Sequence, residues 1–120
     1  MNEKRDASTA ALYRLDPAGK LDAVIDGITI SNGLAWSPDG RTMYHADTPT
    51  RTVRAFAFDG ATGTPSSARV FARFDGETDR PDGGTVDSAG HYWSAFYSGG
   101  RVVELDGAGR TVRELPIPAM

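Results

Sequence analysis

The sequence predicts an all-β fold of antiparallel strands joined by tight turns, on three observations. Short apolar segments of strand length recur along the 120 residues, whereas long helical patterns are few. Fourteen glycines and seven prolines are typical of a turn-rich chain. Turn sequences such as Ser37-Pro38-Asp39-Gly40, with proline second and glycine fourth, separate the segments. Together these features indicate a series of β-hairpins.

The composition of the chain indicates which classes of function and which cellular compartment to expect. At 39% hydrophobic and 24% charged residues, a chain of this length can pack one core. The formal net charge of −3 and the lack of a Lys/Arg cluster exclude a nucleic-acid surface. No apolar run approaches the roughly 18 residues of a membrane span, so we expect no membrane contact. The chain has no cysteine, which fits a reducing compartment, and we expect it in the cytoplasm.

The strand assignments follow the apolar segments in order. We expect a polar leader over residues 1–10 and a single β domain over 11–120. The segment 53–59 is apolar on both faces, which predicts an inner strand of a sheet. Residues 60–67, rich in Gly, Thr, Pro and Ser, are predicted to form a loop. Strands are expected at 12–15, 20–25, 33–36, 41–47, 53–59, 69–74, 83–86, 91–96, 101–106 and 111–115.

A repeat organises these strands. The unit at 30–47 consists of a polar residue followed by Gly, a short strand, a turn and an aromatic-rich strand. The same unit returns at 81–96, so Asn32 and Asp82 are equivalent. Leu-Asp or Phe-Asp pairs at 15–16, 58–59 and 105–106 recur after 43 and 47 residues, close to the roughly 40–50 residues of one propeller blade. Ten strands make about two and a half four-stranded blades, fewer than the typical 4–8 of a closed propeller. The chain is therefore expected to be an incomplete fragment, to self-associate, or to take blades from another chain.

The two equivalent polar residues are the candidate site. If 33–36 and 83–86 are the innermost strands, Asn32 and Asp82 meet at the mouth of the central channel. An amide oxygen and a carboxylate suit a hard divalent cation. The alternative is that both are turn residues chosen for backbone conformation, and from the residues alone this alternative is favoured. His45 and His91 are interpreted as lone histidines, either at the surface or in hydrogen-bonded packing, because metal sites need clusters.

Several motifs together resemble one family. Residues 11–119 resemble the middle-to-late part of the SMP-30/gluconolactonase/regucalcin family of six-bladed propeller lactonases. The motifs that carry the resemblance are SNGLAWSPDG at 31–40, Tyr44 with Ala46-Asp47, RPDGG at 80–84, YWSA at 92–95 and GGRV at 99–102.

The resemblance implies a metal site and a reaction. It implies a divalent metal ion (Ca²⁺ or Zn²⁺, with Mn²⁺ or Mg²⁺ as alternatives) held by Asn32, Asp82 and a first-blade Glu that has no counterpart here. The implied reaction is hydrolysis of a sugar lactone, with Asp82 as the catalytic residue that helps to deprotonate water. The residues that would bind the substrate stay unassigned. The alternative function is a non-catalytic propeller module that binds or scaffolds.

Overall fold

Strands dominate the computed structural model, which describes residues 7–76, 79–97 and 100–118. The described part contains one short 3₁₀ turn, Thr48–Thr50, and no helix in it is long and apolar enough to cross a membrane. The strands are β1 (Ala10–Leu15), β2 (Leu21–Ile28), β3 (Ser31–Trp36), β4 (Thr42–Asp47), β5 (Thr52–Asp59), β6 (Thr64–Arg73), β7 (Arg80–Val86), β8 (Tyr92–Tyr97), β9 (Arg101–Leu105) and β10 (Thr111–Pro116).

These strands form three antiparallel sheets. β1 pairs with β2, and two four-stranded sheets follow in the orders β3-β4-β5-β6 and β7-β8-β9-β10. Each four-stranded sheet is a simple meander of consecutive strands, as in a propeller blade. The expectation of about two and a half blades is therefore confirmed. β3 and β7 are the first strands of the two sheets, and they contact each other.

Aspartate side chains shape three of the hairpin turns in the same way. In each turn one carboxylate oxygen accepts hydrogen bonds from the backbone N–H groups two and four residues later. The three residues are Asp16, Asp87 and Asp106, with distances of 2.8–3.0 Å. A carboxylate that satisfies two turn amides stabilises the reversal of the chain, which explains why the Asp-x-x-Gly pattern predicts hairpins.

The predicted loop at 60–67 is too long. β6 begins at Thr64, so the turn occupies only residues 60–63. The Gly63 N–H donates to the Asp59 carbonyl (2.7 Å), and Gly63 adopts a left-handed φ of 70°, which closes a tight turn. Pro65 is tolerated in β6 because this strand lies at the edge of its sheet. β5, between β4 and β6, is the inner strand expected at 53–59.

Two apolar clusters fill the spaces between the sheets. The smaller one joins β1–β2 to the second sheet through Ile25, Ile28, Met43 and Phe56. The larger one lies between the two four-stranded sheets and contains the ring of Tyr92, completely buried. Each large apolar side chain buried in this way contributes roughly 1.5–3 kcal/mol. The larger cluster therefore fixes the spacing of β3 and β7. The predicted leader lies mostly outside the described residues, which begin at Ala7.

Candidate metal centre

Asn32 and Asp82 lie side by side where β3 meets β7. The Asn32 amide Nδ2 donates to Asp82 Oδ1 at 2.5 Å, across 50 residues of sequence, and both side chains are half-buried. The Asn32 Oδ1 accepts from the N–H of Gly33 at 3.1 Å. Because an amide can rotate by 180° and exchange its N and O positions, the same placement can bring an Asn32 oxygen next to the Asp82 carboxylate. The structure thus brings together the two residues that the repeat makes equivalent.

Each of the two residues lies at a β-bulge: the bulge of β3 follows Asn32, and the bulge of β7 contains Asp82. In the β3–β4 pair Asn32 aligns with Ala46 and Ala35 with Tyr44, so β3 carries one extra residue. In the β7–β8 pair the same shift occurs between Pro81 and Gly84. A bulge turns the side chains near it away from strict alternation, and bulges are frequent beside functional sites. The shared irregularity therefore aims both polar side chains at one place.

Buried hydrogen bonds hold the backbone on either side of the pair. The Asp47 carboxylate accepts from the N–H groups of Thr29 (2.9 Å) and Ile30 (2.8 Å), directly before β3. The Thr48 hydroxyl donates to the carbonyl of Pro81 (2.6 Å), the residue before Asp82. The Asp47 side chain therefore binds backbone amides that lead into β3. Sequence reasoning missed Thr48, whose partner is 33 residues away and has no local signal.

A tyrosine of β8 binds the backbone of β3. The Tyr92 hydroxyl donates to the carbonyl of Gly33 at 2.7 Å, 59 residues away in the sequence. Burial raises the pKa of Tyr92, so the hydroxyl keeps its proton and stays a donor. Sequence reasoning missed this residue as well. Its buried position in a strand is typical of a core aromatic, and nothing local indicates the distant carbonyl.

His45 is a packing residue, as expected. Its side chain is fully buried, and its Nε2 lies 2.7 Å from the Ser31 hydroxyl. Burial, with a smaller contribution from Arg54, lowers the pKa of His45 to about 4. The imidazole is therefore neutral near pH 7 and serves as a hydrogen-bonding partner within the core.

His91 is hydrogen-bonded, as expected, but it does not stand alone. Nitrogen and oxygen atoms of Asp87, His91 and Glu104 lie within 4.8 Å of one another, because β8 and β9 align the residues that flank two turns. His91 Nδ1 lies 2.6 Å from Glu104 Oε2, while the Trp93 indole N–H binds Asp87 Oδ2 at 2.9 Å. Arg113 Nε lies 3.2 Å from the other Glu104 oxygen.

These contacts favour an ion-pair network over a metal site. The hydrogen bond to Glu104 raises the pKa of His91, which favours the imidazolium, and a protonated histidine does not bind metal. The network follows the end of β7, whereas Asp82 lies near the start of that strand. It is therefore separate from the Asn32–Asp82 pair.

The chemistry of the pair fits a hard divalent cation. An amide and a carboxylate offer oxygen ligands, which Ca²⁺ and Mg²⁺ prefer. The described hydrogen bond of Asp82 uses Oδ1, so Oδ2 is the oxygen left to bind a cation or accept a proton. Within the described ranges the pair supplies one carboxylate and one amide. Together these offer fewer ligand oxygens than the six to eight that Ca²⁺ takes.

Comparison with known proteins gives the family. The sequence model of one protein family, the SMP-30/gluconolactonase/LRE-like region, matches residues 1–120, the whole chain. The chain belongs to this family. Its members include the 6-deoxy-6-sulfogluconolactonase of Pseudomonas putida, 40% identical over 97% of the chain and 40% of that protein. The pentonolactonase of Haloferax volcanii is 39% identical over 94% of the chain and 39% of that protein.

Solved structures agree. The calcium-binding protein regucalcin from Agrobacterium tumefaciens superposes with a TM-score of 0.90 at 30% identity, covering 98% of the chain and 40% of that structure. The gluconolactonase of Xanthomonas campestris gives a TM-score of 0.77 at 35% identity, covering 94% of the chain and 36% of that structure. The chain thus spans about 40% of the length of these family members. The relatives that are named lactonases or gluconolactonases support lactone hydrolysis at the level of the family, and the fold of the neighbours is a β-propeller.

Proposed function

We propose that the Asn32–Asp82 pair forms part of a divalent-cation site that hydrolyses a sugar lactone. One observation carries the proposal: an amide and a carboxylate from equivalent positions of two sheets approach to 2.5 Å. Two relatives are a sulfogluconolactonase and a pentonolactonase, which supports a sugar lactone as the substrate class. The metal-binding role of Asn32 and the catalytic role of Asp82 are parts of this proposal.

The protein's own residues account for the proton transfers. A divalent cation bound here supplies Lewis-acid polarisation of the lactone carbonyl. Asp82 Oδ2, the oxygen that the hydrogen bond to Asn32 does not use, accepts a proton from the attacking water. The water oxygen bonds to the carbonyl carbon, the ring C–O bond breaks, and the proton passes from Asp82 to the ring oxygen. The product is the open hydroxy acid.

The cation needs more ligands than this pair provides. One carboxylate and one amide would bind Ca²⁺ weakly, so the proposal includes a further acidic ligand from another blade. That blade would belong to a longer chain or to a second molecule. Ca²⁺ and Zn²⁺ are the ions we propose first, and Mn²⁺ and Mg²⁺ are the alternatives. The calcium-binding regucalcin from Agrobacterium, similar in fold, supports Ca²⁺.

The single carboxylate favours a second candidate, a propeller module that binds or scaffolds without catalysis. Hydrolysis of δ-gluconolactone with each of the four cations separates the two functions, read by acid release. We expect cation-dependent turnover that falls by at least about 100-fold in Asp82→Asn, because a positioned base contributes roughly 10²–10⁴-fold. The matched control is Asp59→Asn, at an exposed turn carboxylate that binds the N–H of Ala61.

The outcomes are distinct. Turnover that Asp59→Asn leaves unchanged and Asp82→Asn abolishes supports the enzyme. Absence of turnover with every cation, in a molecule that includes the blade with the further acidic ligand, supports the non-catalytic module. Turnover that persists in Asp82→Asn contradicts the role of this carboxylate.

A further inference from the structure

The hydroxyl of Tyr92 is packed between β3 and β7, against Gly33 and Gly84. Tyr92 is 0% exposed, and its ring packs at 5.3 Å from the ring of Tyr44. A methyl group at Gly33 would overlap the hydroxyl from the β3 side, and one at Gly84 would overlap it from the β7 side. The hydroxyl is therefore enclosed by Gly33, which follows Asn32 directly, and by Gly84, which pairs with Ser94 at the end of the β7 bulge. Only glycine leaves enough room at these positions.

The bond from this hydroxyl links β3 to the sheet of β7. Tyr92 belongs to β8, which pairs with β7, yet its hydroxyl donates to the carbonyl of Gly33 in β3. The residue that carries this carbonyl follows Asn32 directly. Burial raises the pKa of Tyr92, which keeps the donor protonated across the physiological range. Without the bond, the Gly33 carbonyl would lose its described side-chain partner at a buried position, which costs about 1–3 kcal/mol.

We propose that Tyr92 is a positioning residue that sets the distance between Asn32 and Asp82. This inference rests on the proposed function only for its effect on cation binding. The described hydrogen bond of the hydroxyl goes to Gly33 and to neither of the two ligands, so Tyr92 acts by holding the backbone of β3 against β7 and β8. Groups that orient metal ligands in this way typically contribute 10–100-fold to metal affinity.

Tyr92→Phe tests the proposal, because it removes the hydroxyl and keeps the ring. The matched control is Tyr44→Phe. Tyr44 is 4% exposed, lies in the same cluster and contacts the ring of Tyr92, but its hydroxyl does not bond to Gly33 in the described structure. We expect Tyr92→Phe to weaken Ca²⁺ or Mn²⁺ binding by roughly tenfold in calorimetry. We expect Tyr44→Phe to change it less than about twofold.

A second measurement needs no cation. The side-chain amide resonance of Asn32, identified by its loss in Asn32→Asp, reports the bond to Asp82. Its shift in Asp82→Ala, which removes the acceptor, defines the unbonded value, and we expect Tyr92→Phe to move it towards that value while Tyr44→Phe does not. Equal effects of the two phenylalanine variants in both measurements would overturn the proposal, whatever their melting temperatures. If the unaltered chain binds no cation, the proposed function fails and the amide resonance alone decides the role of Tyr92.

Discussion

Replacement of Gly33 by alanine tests how tightly the site is built. Gly33 has a φ of 56°, and an L-residue in this left-handed region costs about 1–2 kcal/mol. A methyl group there would also lie 2.8 Å from the Ala46 Cβ and 3.2 Å from the Asp82 carbonyl, and would overlap the Tyr92 hydroxyl. Overpacking of this kind costs typically 1–3 kcal/mol. We therefore expect Gly33→Ala to lower the free energy of unfolding by about 2–5 kcal/mol.

Gly40→Ala is the matched control for this substitution. Gly40 has a φ of 72° but no atom within 4 Å of the added methyl group. It should cost only the conformational part, about 1–2 kcal/mol. Urea titration of both variants measures the difference, provided that the slope of the transition is unchanged. Equal losses in the two variants would refute the close packing of Gly33 against Tyr92.

Three further predictions concern charged groups. Since burial lowers the pKa of His45 from 6.5 to about 4, the unfolded chain binds more protons between these values. Stability should therefore fall with falling pH, by about 3 kcal/mol in all, and His45→Gln should abolish this loss in urea titrations. The pKa of His91 is raised by Glu104, so its contribution is complete below pH 6.5 and is lost as the pH rises through the folded value. His91→Gln should remove this loss of stability at higher pH. If the free energy of unfolding of the variant depends on pH as that of the unaltered chain does, the ion pair is contradicted. Asp47→Ala, which leaves the buried amide of Thr29 and the half-buried amide of Ile30 without their partner, should cost about 2–4 kcal/mol. Asp59→Ala, at an exposed turn, should cost less than about 1 kcal/mol, and thermal unfolding measures both.

Local turn chemistry and the repeat were enough to predict most of the fold. Asp-x-x-Gly sequences set hairpin turns through bonds between residues two and four apart, so a single sequence reveals them. The equivalence of Asn32 and Asp82 also followed from sequence, because two copies of one unit place the same position at the same end of each sheet. The loop at 60–67 was overestimated because Pro65 and the small residues around it suggested a loop, while an edge strand accepts them.

The contacts that complete the site could not be predicted from sequence. The bulges after Asn32 and Pro81 arise from pairing with the neighbouring strands, and the sequence shows only two Gly-containing segments. Tyr92 reaches a carbonyl 59 residues away, and that partner depends on how two sheets pack. His91 looked isolated for the same reason, since Glu104 joins it only through the pairing of β8 with β9.

Diffraction from crystals of the chain grown with Mn²⁺, recorded to show the anomalous signal of the metal, tests the central claim most directly. The account predicts a peak with Asn32 Oδ1 and an Asp82 carboxylate oxygen both within about 2.0–2.6 Å, the range of bonds from oxygen ligands to hard divalent cations. A peak at Asp87, His91 and Glu104 instead, or no peak at saturating Mn²⁺, would contradict it.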